Sequence, residues 1–414
     1  MAGAPSIDKE TTWVSAREAA QILEVSLGTL YTYVSRGLLH PKVDPGAHRK
    51  HYSLAEVERL RQRNSGARQA GSVARATLDF GLPVLESALC LIDRGRIYYR
   101  GHDVIDLAET ACLEEIAALL WGCDVGQLPI CTPPLSRRAR TALGRTVGSP
   151  MPARLPSAYH LVADDWASEI DHEEPPVAGW RCVQALLLAA TAGSRESDGG
   201  PLHERLQRAW DLPRSATDAL RRAMVLSADH ELNASSFTAR CVASTGATSR
   251  AAVGAALAAL SGKRHGGMIS DVEALWPTMQ ALDRQRVGED ERPFAQPVPL
   301  SGFGHRLYPD GDPRGLHLLS RLRPKQRLEG FVSAVWQQHG LGPTLDYGLV
   351  ATCHAAGAPA GAAFALFAVA RTIGWVAHIQ EQQRTGTLIR PRAAYIGERP
   401  KPVEEERGRV FRRR

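Results

Sequence analysis

Two histidines beside glycines are the first feature of this sequence that points to chemistry. His265 lies in the segment Gly-Lys-Arg-His-Gly-Gly, and His305 lies in Gly-Phe-Gly-His-Arg. Glycine lets the backbone and a ligand approach closely, and an imidazole at a helix N-terminus meets the positive end of the helix dipole. The sequence therefore predicts two imidazoles that contact an anionic or enolic oxygen.

Cationic side chains from several segments accompany these histidines. Arg314, Arg371 and Arg390 lie in separate polar islands, and His230 lies in the island Ser-Ala-Asp-His-Glu-Leu-Asn-Ala-Ser. A guanidinium group binds a carboxylate through two parallel hydrogen bonds, so this set predicts a ligand with more than one carboxylate. Asp346, in a further island, is then a candidate general base.

The elements that must position these side chains are predicted to be helices. Residues 73–414 show little strand pattern and no internal repeat, and the windows 183–192, 251–260 and 360–370 are rich in Ala and Leu, as in buried helices. The polar stretches 163–176 and 193–203 are predicted to be loops. An all-α body follows, with its chemistry carried by the loops between helices.

Composition limits the classes of function. The chain has 414 residues and 44.9 kDa, which predicts two or three domains, and its 44% hydrophobic and 23% charged residues are typical of a folded globular protein. The seven cysteines are scattered without a Cys-x-x-Cys pair, so we expect reduced thiols in a cytoplasmic protein and no metal site. Neither export nor membrane insertion is indicated.

The first 70 residues form a separate pattern. A short helical apolar face is given by Ala19, Ala20, Ile22 and Leu23. Ser26 is a suitable N-cap for a helix over 27–35 whose Leu30 and Val34 face inward, and Ser53 caps a third helix. Two short helices joined by a tight turn make a helix-turn-helix. The layout resembles a winged MerR-type or excisionase-type domain, with a linker after it.

Two functions remain open for this front domain. It holds ten Lys and Arg against seven Asp and Glu, so a nucleic-acid footprint is expected there. If it binds DNA, residues of the second helix would enter the major groove and cations of the wing would meet phosphates: Thr29, Thr32, Tyr33 and Arg36 in the groove, Arg49 and Lys50 on the backbone. The alternative is a docking or regulatory module.

The polar islands of the long body occur in an order that resembles the citrate synthase family. The motifs, spread over roughly residues 76–397, are ADHELNAS, HGG, GFGHR followed by DPR, ARTIGWVAH and RPR, with an early YRG and DLA segment. The resemblance implies an all-α homodimer, in which a higher oligomer stays open. It implies a large domain over 71–261 and 372–414, a small domain over 262–371, and the helix-turn-helix domain with its linker over 1–70.

The resemblance also implies roles for the islands. Family enzymes condense oxaloacetate with acetyl-CoA and hydrolyse the thioester product, without metal or redox cofactor, as in the tricarboxylic acid cycle. Asp346 would take the methyl proton, His265 would hydrogen-bond the enol oxygen, and His305 would polarise the oxaloacetate carbonyl. The oxaloacetate carboxylates would be held by His230, Arg314, Arg371 and, from the partner subunit, Arg390.

Departures from the family pattern concern CoA and the acyl pocket. Lys263 and Arg264 stand where Pro-Ala is common, and Pro309 follows Tyr308 where many members have a lysine, so Arg306, Lys263 and Arg264 are the candidate CoA contacts. Ser227 replaces a familiar histidine. For Asp346 the alternative role is helix N-capping, and His378 and Trp375 are interpreted as packing residues.

Three functions therefore stay open on the sequence. The first is a citrate synthase that uses acetyl-CoA, and the second is a 2-methylcitrate synthase that uses propionyl-CoA. One methylene separates these substrates, and a pocket discriminates a methylene by only ~1–3 kcal/mol. The third is a DNA-binding regulator that senses a carboxylate or an acyl-CoA through the same body. Retention of Asp346, which a pure sensor does not need, favours the enzyme.

Overall fold

The structure is a computed structural model that describes residues 13–35, 38–43, 50–68, 85–192, 199–286, 298–393 and 396–398. The side chains of Thr32, Ser35 and residues 62–68 lie outside this description. The chain divides into two units. One comprises Met1–Glu86 and Pro391–Arg414, and the other comprises Ser87–Arg390.

The first unit is a small helix-turn-helix with a three-stranded sheet. Its elements are β1 (Trp13–Ser15), α1 (Ala16–Ile22), α2 (Leu27–Ser35), β2 (Lys42–Val43), β3 (Lys50–Ser53) and α3 (Leu54–Arg68). The strands are antiparallel in the order β1-β3-β2, with Val14 opposite Tyr52. The predicted cap at Ser26 is formed, since its hydroxyl accepts the amide of Thr29 at 3.2 Å. Ser15 and Glu18 make a capping box at α1 that was not predicted, and Ser53 directly precedes α3.

A compact apolar cluster holds this unit together. Ala19, Leu30, Tyr52 and Val57 are fully buried, and Leu60 of α3 joins them. The predicted apolar face of α1 and the inward direction of Leu30 are therefore confirmed. The two helices of the turn and the third helix share one core, as a helix-turn-helix requires.

The described residues of the second unit are mostly helical and include one three-stranded sheet. The sheet is antiparallel and consists of β4 (Cys90–Asp93), β5 (Arg96–Tyr99) and β6 (His102–Asp103). The helices are α4 (Val104–Thr110), α5 (Leu113–Trp121), α6 (Arg137–Gly144), α7 (Met151–Asp165), α8 (Ala167–Asp171), α9 (Pro175–Ala190), α10 (Leu202–Ala209), α11 (Thr217–Ser227), α12 (Ala234–Ala243), α13 (Ser249–Leu260), α14 (Gly267–Arg286), α15 (Pro313–Ser320), α16 (Pro324–Arg327), α17 (Glu329–His339), α18 (Leu345–Ala356) and α19 (Ala362–Thr385), with short 3-10 turns at Val125–Gln127 and Arg214–Ala216.

Helix α19 is the centre of the second unit. It contacts α5, α7, α9, α11, α12, α13, α14 and α18. An 18-residue window of α19 has a mean hydropathy of 1.5, which is enough for a membrane span by length and composition, but the whole window is buried inside the described structure. The same values are typical of the core helix of a folded protein, and the burial favours that interpretation. The three Ala- and Leu-rich windows lie in α9, α13 and α19, as predicted.

The predicted loop over 163–176 is wrong for most of its length. Helix α7 continues to Asp165, α8 follows over Ala167–Asp171, and α9 begins at Pro175. The physical reason is that Trp166 and Ile170 are only 1% and 2% exposed, so this polar segment is fixed by two large apolar side chains. Of the second predicted loop, residues 193–198 lie outside the described residues, and α10 begins at Leu202.

Candidate active site

The loop between α13 and α14 carries His265 and depends on the two glycines that follow it. A Cβ on Gly266 would lie 2.8 Å from the Leu260 side chain, and one on Gly267 would lie 2.7 Å from the Gly262 carbonyl oxygen. Only glycine fits such close approaches without a backbone shift. The tight turn places the His265 imidazole at the N-terminus of α14, as the sequence predicted.

A hydrogen-bonded group around Ser235 holds the His265 ring. The Ser235 Oγ lies 2.7 Å from His265 Nε2, accepts the Trp375 indole N–H at 3.0 Å, and lies 2.8 Å from Asn233 Oδ1. Asn233 Oδ1 already accepts the backbone amides of Ser235 and Ser236 as the N-cap of α12. Because an amide oxygen can only accept, the Ser235 hydroxyl donates its proton to Asn233 Oδ1. Ser235 thus holds the His265 ring through Nε2 and leaves Nδ1 for a ligand.

The His265 imidazole is neutral at physiological pH. Burial, followed by the positive charge of Arg371, lowers its pKa to about 4. A neutral imidazole is a hydrogen-bond donor at one ring nitrogen and carries no charge of its own. It can therefore donate to a developing oxyanion without giving up its proton.

His305 lies in a loop joined to the start of α18. Gly302 has φ +87°, its carbonyl oxygen accepts the Thr344 amide at 2.8 Å, and Phe303 forms an isolated antiparallel bridge with Pro343. The Leu307 amide donates to His305 Nδ1 at 3.2 Å, so the neutral ring carries its proton on Nε2. Burial lowers the pKa of His305, and Arg314 opposes protonation further while Asp312 favours it.

His230 follows α11 and meets the His305 loop. Its Nε2 lies 2.8 Å from the Tyr308 hydroxyl, and its ring centroid lies 5.6 Å from that of His305, edge to face. Burial and then the charges of Arg314 and Arg371 hold the pKa of His230 well below its ordinary value. Two histidines predicted to contact the same substrate are thus in ring contact and both neutral.

Arg314 is held by a bidentate ion pair at the start of α15. Its Nε and Nη2 donate to the two carboxylate oxygens of Asp312 at 3.0 and 2.7 Å, and the two residues are 3% and 1% exposed. Burial alone would raise the pKa of Asp312, but the attraction of Arg314 and its hydrogen bonds hold it below the usual range. Arg314 Nη1 is buried without a hydrogen-bond partner among the described residues, as expected for a donor that meets an anionic ligand.

Arg371 projects from the middle of α19 toward the segment before His230. Its Nε donates to the Ser227 carbonyl oxygen at 2.7 Å, and its guanidinium carbon lies 4.6 Å from the Phe367 ring centroid. It is 2% exposed, and burial lowers the pKa of its guanidinium. A buried cation with so few internal acceptors can bind a substrate carboxylate.

The same face of α19 continues along this segment. The Gly374 amide donates to the Ala228 carbonyl oxygen at 3.0 Å, and a Cβ on Gly374 would lie 2.3 Å from Asp229 Oδ1. His378 Nε2 lies 3.4 Å from the same Asp229 oxygen, and both side chains are fully buried. His378 is therefore a core residue, which agrees with its interpretation as packing, and Gly374 permits the close approach.

Asp346 lies in the first turn of α18 but does not cap it. Thr344 is the N-cap residue, and its hydroxyl lies 3.2 Å from Asp346 Oδ2 and 3.1 Å from the Gly302 carbonyl oxygen. Burial raises the pKa of Asp346 to about 6, while the Thr344 hydrogen bond opposes the rise. A carboxylate with a pKa this close to neutrality is a stronger base than an ordinary aspartate and remains largely ionised at pH 7.

The remaining predicted site residues are placed differently. The candidate CoA contacts Lys263, Arg264 and Arg306 are exposed on the two histidine loops. Arg390 is exposed in the segment after α19, and no hydrogen bond joins it to the residues above in the described structure. Lys263, Arg264 and Arg306 are therefore associated with the site by their position on these loops.

In the first unit the residues of α2 divide between core and surface. Thr29 is half-buried and its hydroxyl is hydrogen-bonded to Ser26 at 2.9 Å, and Tyr33 packs against the unit's core. The aromatic side chain that projects from α2 is Tyr31, 47% exposed, with Lys50 Nζ at 5.7 Å from its ring centroid. Of the other candidates, the side chain of Thr32 and all of Arg36 and Arg49 lie outside the described residues.

The sequence did not identify the side chains that hydrogen-bond the predicted site residues. Ser235, Tyr308, Asp312 and Thr344 each hydrogen-bond a predicted site residue, and Trp375, interpreted as packing, donates to Ser235. Ser235, Tyr308 and Asp312 lie within or beside the same motifs, which was the available signal. Thr344 had none beyond its place two residues before Asp346.

Taken together, the geometry offers one base, two neutral donors and two buried guanidinium groups in one unit. The base is Asp346, and the donors are the neutral rings of His265 and His305, the latter through Nε2–H. Such a set can remove a proton next to a carbonyl, stabilise the enol and polarise a second carbonyl that belongs to a polyanionic ligand.

Comparison with known proteins agrees with this arrangement. The family described as "Citrate synthase, C-terminal domain" matches residues 169–392, and "MerR HTH family regulatory protein" matches residues 14–64. Citrate synthase of Haloferax volcanii is 29% identical over 386 residues, covering 78% of this chain and 97% of that protein. Citrate synthase of Mycolicibacterium smegmatis is 30% identical over 344 residues, covering 72% and 88%. A protein named 2-methylcitrate synthase from Mycobacterium tuberculosis is 29% identical over 339 residues, covering 72% and 84%.

A solved structure shares the fold. Crystalline citrate synthase from Thermotoga maritima has a TM-score of 0.60 and 24% identity, and the match covers 80% of this chain and 98% of that one. The predicted fold class, an all-α citrate-synthase-like body preceded by a helix-turn-helix, is therefore confirmed. The matched family covers more than half of the chain, so this protein belongs to the citrate synthase family of acyltransferases and carries a MerR-like region before that body.

Proposed function

We propose that this protein condenses the acyl group of acetyl-CoA with oxaloacetate and hydrolyses the resulting thioester, which releases citrate and CoA. The observation that carries the proposal is the set of Asp346, His265 and His305 in one unit, each hydrogen-bonded to a named neighbour. We propose no metal or redox cofactor for this reaction.

The first step is removal of the methyl proton of the thioester by Asp346. An aspartate with a pKa of about 6 is ionised at pH 7 and takes the proton more readily than an ordinary carboxylate. At the same time the Ser235 hydroxyl turns from Asn233 Oδ1 to donate to His265 Nε2, and His265 donates through Nδ1–H to the thioester carbonyl oxygen, on which the enol forms. One such donor contributes ~3–4 kcal/mol to similar transition states.

The second step is attack of the enol carbon on the oxaloacetate carbonyl. His305 Nε2–H polarises that carbonyl, and the new alkoxide takes a proton to become the citrate hydroxyl. Arg314, through the Nη1 donor that has no internal partner, and Arg371 bind the carboxylates. Water then hydrolyses the citryl thioester.

The CoA contacts and the role of Arg390 are proposed from the positions of exposed cations. We place CoA against Arg306, Lys263 and Arg264, because they are exposed cations on the two loops that carry the reactive histidines. We place Arg390 on the oxaloacetate of a partner subunit, since it is exposed and has no described contact with its own site. The role of Arg390 requires a homodimer. We also propose that residues 262–371 close over the substrate as a small domain. A cytoplasmic location is likewise a prediction.

The test is release of CoA thiol from the purified full-length protein with oxaloacetate and acetyl-CoA. Asp346→Asn and His265→Ala should each lower kcat by at least 100-fold, while Asp211→Asn, a change at an exposed carboxylate, should leave it unchanged. No turnover by a folded wild-type protein with any short acyl-CoA would refute the proposal. Propionyl-CoA, run beside acetyl-CoA, decides the donor by the ratio of kcat/KM values.

A second candidate function is a regulatory role for the first unit, favoured by its match to the MerR-type family and by its exposed pair Tyr31 and Lys50. We propose that it binds DNA. A mobility-shift assay over a salt series should show sequence-dependent binding that weakens steeply with salt. Binding that is indifferent to sequence at physiological salt would leave a docking module as the better interpretation, and removal of residues 1–70 would show whether activity depends on it.

A further inference from the structure

Tyr308 contacts both histidines that the proposed function assigns to oxaloacetate. It is 2% exposed, its hydroxyl lies 2.8 Å from His230 Nε2, and its ring centroid lies 5.0 Å from that of His305 at an interplanar angle of 30°. The backbone of Tyr308 donates to the His305 carbonyl oxygen at 3.0 Å, so the tyrosine is fixed within the loop. Tyr308 has no role in the reaction proposed above.

The proton of the Tyr308 hydroxyl has one described acceptor. Among the described residues, Tyr308 is also the only hydrogen-bond partner of the His230 ring. A phenol is a better donor than a neutral imidazole N–H, and an imidazole nitrogen is a better acceptor than a phenol oxygen. The bond is therefore O–H to Nε2, and the ring proton of His230 is on Nδ1.

We infer that Tyr308 is a positioning residue for oxaloacetate: its hydroxyl fixes His230 in the tautomer whose Nδ1–H donates to a substrate carboxylate. The alternative tautomer would present a lone pair at Nδ1 and repel that carboxylate. The inference rests on the proposed function, and it adds a determinant of oxaloacetate binding that acts through another side chain.

Electrostatics around His230 make this determinant necessary. Besides burial, four groups from different segments lower the pKa of the His230 ring. They are two cations, Arg314 of α15 and Arg371 of α19, and two imidazoles, His305 and His265. Asp229 and Glu231 flank it in the chain. Because burial and these cations keep His230 neutral, it cannot act as a donor at both nitrogens, and the position of its single proton decides whether it attracts or repels an anion.

The experiment is calorimetric titration of the full-length protein with oxaloacetate alone, for the wild type and Tyr308→Phe. At pH 8 the variant should bind ~10-fold or more weakly, the effect expected for loss of one hydrogen bond to a charged group. Tyr159→Phe is the matched control, because it removes another buried hydroxyl, hydrogen-bonded to the Arg250 carbonyl oxygen at 3.2 Å, from outside the site. It should bind as the wild type does.

Nitrogen NMR of the imidazole rings separates positioning from loosened packing. The wild type should show a neutral His230 with its proton on Nδ1, and loss of a signal in His230→Asn assigns it. Tyr308→Phe should lower the population of this tautomer at pH 8, whereas a His230 tautomer that is unchanged in the variant would overturn the inference.

A double-mutant cycle provides the second test. In a His230→Asn background, Tyr308→Phe should weaken oxaloacetate binding no further, since the tyrosine acts through the histidine. Equal affinity of the wild type and Tyr308→Phe at pH 8, or additive losses in the cycle, would overturn this inference alone. Absence of oxaloacetate binding by the folded wild type would instead overturn the proposed function and this inference with it.

Discussion

Replacing Asp346 with Asn should stabilise the protein while it abolishes turnover. Burial raises the pKa of this carboxyl from 3.8 to about 6, which means that the folded protein holds an ionised group that it disfavours at neutral pH. At ~1.36 kcal/mol for each pH unit, the rise costs ~3 kcal/mol of unfolding free energy above pH 7. Asn cannot ionise and so removes this cost.

The sign of the pH dependence follows from the same values. Below pH 3.8 the carboxyl is protonated in both the folded and the unfolded protein and contributes nothing. As the pH rises from 3.8 to about 6, the unfolded chain ionises first and the folded state loses stability. About half of the ~3 kcal/mol should be present at pH 5 and all of it at pH 7.5.

Urea denaturation followed by tryptophan fluorescence measures this effect. Every tryptophan except Trp13 lies within residues 87–390, so the signal reports on the second unit. The gain in Asp346→Asn over the wild type should grow by ~1.5 kcal/mol between pH 5 and pH 7.5. Asp211→Asn, at an exposed position, should show no such growth. A difference between Asp346→Asn and the wild type that is independent of pH would refute the reasoning.

Three further predictions concern the surroundings of the site. Thr344→Val should move the acidic limb of the kcat/KM profile to higher pH, because its hydrogen bond lowers the pKa of Asp346. Asp312→Ala should lower the unfolding free energy by ~3–5 kcal/mol in urea, because Arg314 is left buried without its carboxylate. Gly374→Ala should lower the midpoint of thermal unfolding, since its Cβ would lie 2.3 Å from a buried carboxylate oxygen.

Each of these predictions has a control variant or a result that would contradict it. Thr352→Val removes a hydroxyl bonded to the Gly348 carbonyl oxygen elsewhere in α18 and should leave the pH profile in place. Loss of less than ~1 kcal/mol in Asp312→Ala would mean that solvent reaches the guanidinium. Gly144→Ala, where a Cβ meets nothing within 4 Å, should be neutral or slightly stabilising, and equal losses in both glycine variants would contradict the close-approach argument.

The sequence was most informative for features that depend only on residue type and local spacing. The N-cap Ser26, the apolar face of α1 and the glycines around His265 each act within a few residues, and the structure agrees at all three. The segment 163–176 was misjudged because its few large apolar residues, Trp166 and Ile170, are buried by helices distant in the chain. Tertiary packing overrides local polarity there.

The partners of the reactive groups were out of reach for a related reason. Ser235 and Trp375 are 140 residues apart, and His230 and Tyr308 are 78 apart, yet each pair shares a hydrogen bond. Spacing along the chain does not encode such contacts. Motifs identified the candidate reactive groups, whereas only the fold shows which neighbour contacts each one.

The central position of α19 also constrains how the protein is made. Helices α5, α7, α9, α11, α12 and α13 all pack on it, yet it is the last helix of the second unit. During synthesis these earlier helices leave the ribosome with their apolar faces uncovered. At ~5–20 residues per second, the wait between α5 and Thr385 lasts ~13–50 s. These faces therefore stay exposed and prone to aggregation late into translation, and a chain that ends before residue 362 lacks the helix on which they pack.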